Sequence, residues 1–151
     1  MSDFCKAARI EKSAAVDEQE LALINAQALR PLAADEVFTF RLAACDDQID
    51  RDAERFTEAC LAGLAELFVG RTVLKDHMWS AGVQTARVYA AQVEAQGEVH
   101  RLVLRCYMPR TEGTAETIAA IESGMLRECS VGVAVGRVTC SFCGADQLAT
   151  L

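Results

Sequence analysis

Along residues 36–45 (EVFTFRLAAC), Val37, Thr39 and Arg41 alternate with Phe38, Phe40 and Leu42. Successive side chains of a strand point to opposite faces, so this pattern predicts a strand with one buried face. Residues 85–95 and 98–108 read as two more strands, joined by the turn Gln96-Gly97 into a hairpin, and Pro109 ends the second. Thr72-Val73-Leu74 is a short apolar strand that runs into Lys75-Asp76-His77. Residues 129–138 (CSVGVAVGRV) carry β-branched side chains and two glycines and predict a buried strand.

Other stretches carry the helical period. Residues 18–24 follow Asp17, a suitable N-cap, and Pro31 closes the segment. Residues 53–68 place Phe56, Cys60, Leu61, Leu64, Leu67 and Phe68 on one stripe, with Asp52 as the expected N-cap and Gly70 as the stop. Residues 114–126 predict a further amphipathic helix, capped by Thr114, with Gly124 near its end. A strand-rich chain with two or three helices predicts a mainly β fold with peripheral helices (α+β), its antiparallel sheet closed or partly closed into a barrel. Residues 1–16 read as a flexible, polar N-terminus, 17–139 as the folded domain, and 140–151 as a C-terminal tail bearing a CxxC pair.

Composition narrows the function. The 151 residues are a prior for one domain, and a 52% hydrophobic fraction supplies a core and excludes a disordered chain. Aromatics make up only 6%, so Ala, Val and Leu fill most of that core. A net charge of −7, with its 15 Lys and Arg scattered, argues against binding nucleic acid through a basic face. No run of 18 uncharged apolar residues is present, so no membrane-spanning helix is expected, and the charged start of the chain does not read as a signal peptide. Seven cysteines, an odd number and several within apolar runs, suggest reduced thiols in a cytosol.

Two histidines are available for chemistry near neutral pH. His77 follows a strand, in the loop Lys75-Asp76-His77-Met78-Trp79-Ser80, whereas His100 falls inside a strand; loops at strand ends carry function more often. Ser130 stands between a charged helix end and an apolar, glycine-bearing run. Its hydroxyl is either a small group bonded to a neighbouring carbonyl or a nucleophile activated by an imidazole. Gly132 leaves room for a substrate backbone. Cys140 and Cys143 have half of a zinc-knuckle spacing, but no second pair follows, so two free thiols and no metal is the expectation. The acids Asp46, Asp47, Asp50 and Asp52 lack the glycine and closing glutamate of a calcium loop and read as a solvated turn.

Three segments together resemble the capsid-maturation (prohead) serine proteases of tailed bacteriophages, a family related in fold to the herpesvirus assemblin proteases. They are 35–40 continuing through 45–56, the loop 75–80 continuing to 86–89, and Glu128-Cys129-Ser130-Val131-Gly132 behind the helix at 114–126. The order of histidine, then helix, then serine is the specific part. The resemblance implies a barrel of the herpesvirus-protease type and a serine endopeptidase with His77 as general base and Ser130 as nucleophile. The family's third member falls after the serine, where Asp146, His100 used out of order, or a residue beyond Leu151 are the alternatives. It further implies polypeptide substrates (scaffold and major capsid protein), a homodimer as in the herpesvirus relatives, no cofactor, no nucleic acid or membrane partner, and a place inside the immature prohead in the host cytoplasm. The alternative is a non-catalytic capsid-assembly or scaffold module on the same fold.

Overall fold

The computed structural model of the chain describes residues 8–76, 78 and 80–150. Five antiparallel strands, β1 (Arg9–Lys12), β2 (Val37–Asp46), β3 (Thr72–Leu74), β4 (Gln84–Gln96) and β5 (Val99–Pro109), form one sheet in the order β1-β2-β5-β4-β3. Three helices, α1 (Glu18–Asn25), α2 (Glu58–Phe68) and α3 (Glu112–Glu122), complete the fold.

The alternation read in β2 sorts the sheet into two faces. Phe40, Leu42 and Ala44 of β2 join Leu102, Leu104, Cys106 and Met108 of β5 and Ala86 and Val88 of β4 in the main core, which Leu61 of α2 and Ile118 of α3 cover. Val37, Tyr89 and Tyr107 point the other way and meet Ile24 of α1, so that face carries a second, smaller core. The hairpin lies as expected, with Gly97 at φ +66° in its turn, a conformation that costs glycine nothing.

The same outer face holds an ionic lattice. Arg101 grips Glu11 with both terminal nitrogens, at 2.7 and 3.1 Å, and reaches Glu94 at 3.3 Å; Arg41 also bonds Glu94. Arg105 and the Tyr89 hydroxyl both donate to Glu20, at 2.9 and 3.0 Å, fastening α1 to the sheet.

The sheet is an open, curled half-barrel, which corrects the expectation of closure. Register shifts between Ala43 and Cys45, Val73 and Leu74, and Val88 and Ala90 bend its strands, because a bulge adds local twist. Closure fails at the edges: β1 is four residues long and β3 three. Residues 129–138, expected as a buried strand, join none of the five strands and are largely exposed. Their alternation survives without a ladder: Cys129, Val131 and Val133 are half-buried while Ser130, Gly132 and Ala134 are exposed. Cys129 and Val131 pack against the main core. β1 itself falls in the stretch read as a loose start, paired with β2 from Arg9↔Ala43 to Lys12↔Phe40.

Two helix starts also differ from the sequence reading. α2 begins at Glu58, with the Thr57 side chain accepting from the Cys60 amide; Asp52 is not its cap. The acidic residues before it form their own turn, in which Asp50 Oδ1 accepts from the Asp52 and Glu54 amides and Ala53 takes φ +59°. In α3 the cap is Thr111, and Thr114 is the third residue of the helix. The Thr114 hydroxyl accepts from the Thr111 amide and donates to the Pro109 carbonyl, binding helix to preceding strand. Asp17 caps α1 as expected, accepting from the Glu20 amide at 2.8 Å.

Candidate functional site

β1 and β3 are the two edge strands of the half-barrel, and the chain that carries Ser130 leaves α3 beside the first of them. On the β1 side, Arg9 pairs with Glu128, the Ile10 amide donates to the Arg127 carbonyl at 2.7 Å, and the Cys129 amide to the Ala8 carbonyl at 3.4 Å. These bonds fix the chain leaving α3 beside the edge strand. Ser130 comes next, exposed, between two half-buried neighbours whose side chains are held in the core. A Cβ on Gly132 would meet nothing within 4 Å, so an extended peptide has room there.

On the other side, β3 ends at Leu74, and Asp76 adopts φ +57°, a left-handed conformation that aspartate tolerates better than most residues. The Met78 amide donates to the Lys75 carbonyl at 3.2 Å. His77 and Trp79, on which the sequence reading centres, lie outside the described residues, as does Cys5.

The two internal candidates for a third member are occupied elsewhere. His100 stands at the start of β5 with Nδ1 2.8 Å from Asp47 Oδ2 and Nε2 3.6 Å from Glu58 Oε1. Its backbone amide also donates to Asp47 Oδ1 at 2.9 Å. The Asp47 hydrogen bond raises the imidazole pKa against the lowering effect of burial, with Glu58 adding to the rise. The same bond lowers the pKa of Asp47. Asp146 organises a C-terminal turn, its Oδ1 accepting from the Val138 and Leu148 amides at 3.2 and 3.1 Å. The sequence marked both the acidic run and His100, but nothing in it joined them, because their meeting depends on the β2–β5 register that sets Asp46 opposite Arg101.

Three cysteines are structural. Burial pushes the Cys45 thiol up to about 12 and Cys129 to about 11, and Cys106 higher still. Such thiols stay protonated at neutral pH and are neither nucleophiles nor ready metal ligands. Cys140 differs: hydrogen bonds from the backbone of Cys143 and Phe142, then from the Cys143 side chain, lower its pKa. Among the described residues, no group of three or more His, Cys, Asp or Glu side chains is placed to hold a metal ion. No helix among them is long and apolar enough to cross a membrane. In comparisons with protein-family models, curated proteins and solved structures, nothing matches this chain.

Proposed function

We propose that the protein is a serine endopeptidase of the prohead-maturation type, which cleaves scaffold and major capsid protein inside an immature phage shell in the host cytoplasm. The observation that carries this reading is the setting of Ser130. It is an exposed residue between Cys129 and Val131, which pack against the main core, directly after a segment bonded to the edge strand β1 of an antiparallel half-barrel. An extended substrate peptide adds as a strand where a sheet edge is left exposed. The order of His77, α3 and Ser130 along the chain supports the same assignment.

In this reading the Ser130 oxygen attacks the scissile carbonyl while His77 takes its proton. Backbone N–H groups stabilise the oxyanion of the tetrahedral intermediate. His77 then protonates the departing amine, leaving an acyl-serine that water hydrolyses as the imidazole again accepts a proton. No cofactor enters these steps. The herpesvirus-protease likeness of the fold belongs to this proposal as well.

A second reading is a capsid-assembly module without turnover. It is favoured by the local engagement of His100 with Asp47 and Glu58 and of Asp146 within its own turn. Co-expression with the phage's major capsid and scaffold proteins separates the two. The native chain is expected to shorten the capsid protein, and Ser130→Ala and His77→Ala are expected to leave it full length. Equal processing by all three chains overturns the protease assignment, and an absence of processing by any of them favours the assembly module.

A further inference from the structure

The turn that carries Cys140 and Cys143 plays no part in the proposed protease chemistry, yet it is closely built. The Cys140 amide donates to the Ala145 carbonyl at 2.8 Å, and the Gly144 amide returns to the Cys140 carbonyl at 2.9 Å. Gly144 has φ +73°, which a residue with a side chain adopts only under strain. Thr139 pairs with Asp146, and the Gln147 amide donates to the Val138 carbonyl at 2.7 Å. The result is a small hairpin whose tip carries both cysteines.

A tetrahedral site of this kind takes four ligands. Among the described residues the tip supplies two, and no third His, Cys, Asp or Glu joins them. The tip is also where the chain is least covered: Cys143 is exposed and Phe142 is 98% exposed. A fully exposed phenylalanine beside an incomplete ligand set is self-complementary under two-fold symmetry, because a second copy brings both a second thiol pair and a second ring to cover the first.

We propose that Cys140 and Cys143 form half of a tetrahedral thiolate site for a zinc-class divalent ion, completed by the same pair from a second copy of the chain. Binding releases the thiol protons to solvent and forms four metal–sulfur bonds, with no change of oxidation state.

The test titrates cobalt(II), then zinc, into the reduced, metal-free full chain while following sulfur-to-cobalt charge transfer and molar mass by light scattering. Absorption is expected to saturate at one cobalt for two chains as the mass doubles, and zinc is expected to displace the cobalt. Cys140→Ser and Cys143→Ser should each abolish both signals, whereas Cys60→Ser, at an exposed thiol on α2, should keep them. Phe142→Ser leaves the ligands intact and should raise the concentration for half-dimerisation by about tenfold, the scale of losing one buried anchor side chain. Saturation at one metal per chain, binding by a monomer, or no charge-transfer band overturns the proposal. Ser130→Ala keeps the metal response in full, so failure of the peptidase reading and failure of this one are distinguishable.

Discussion

The imidazole of His100 is held by carboxylates at both nitrogens, Asp47 at Nδ1 and Glu58 at Nε2, and this sets a pH signature for folding. Its pKa is raised in the folded chain, so its contribution is fully present below the unfolded value of about 6.5 and is lost as pH rises through the folded pKa. Asp47 is shifted down; its contribution is present above an unfolded value of about 3.9 and is lost as pH falls through the folded pKa. The pair therefore stabilises most between about pH 4 and 6.5. Asp47→Asn and His100→Gln are each expected to flatten the urea midpoint between pH 5 and pH 8. A native-like slope in both variants would remove the pair as its source. Glu11 is also lowered, chiefly by its hydrogen bond to Arg101, so acid loss below pH 4 persists in both variants.

At the scale of elements, burial ranks the consequences of substitution. Leu102 sits on β5 at the centre of the sheet and is wholly buried, whereas Leu67 of α2 is 62% exposed. Leu102→Ala removes core contacts and leaves a cavity, and should cost about 2–5 kcal/mol in denaturant unfolding; Leu67→Ala should stay within about 0.5 kcal/mol. Comparable losses at the two sites would mean that the stripe read in α2 is packed in solution. That stripe shows what periodicity can convey: Leu61 and Leu64 do face the core, but Leu67 repeats the pattern and points out. β2, the β4–β5 hairpin, β3 and the three helices were all legible because each has a period or a turn residue of its own. β1 was not, since four residues with Arg9, Glu11 and Lys12 gain their strand character only from β2 and from Arg101 across the sheet. Residues 129–138 mislead for the converse reason: β-branched side chains favour a strand, but a ladder also needs an edge long enough to receive it. The candidate site follows the same division, with Ser130 legible as a residue and its relation to an edge strand legible only in three dimensions.

At the scale of the whole molecule, an open half-barrel predicts graded local stability. β5 is bonded on both sides along its length, by β2 and β4, and its inward side chains are among the most deeply buried of the described residues. Residues 130–136 are exposed or half-buried and belong to no strand. Local opening needs little energy where few apolar contacts and no ladder must be broken. Hydrogen exchange should therefore find β5 amides the slowest and residues 130–136 among the fastest of the described chain. The same measurement bears on the proposed chemistry. A non-cleavable peptide spanning a capsid-protein cleavage site should slow exchange in 130–136, because a bound strand would take up backbone beside Ser130. Protection confined to the β4–β5 turn, or no protection while the peptide is bound, would place recognition away from Ser130 and detach the serine from the substrate path.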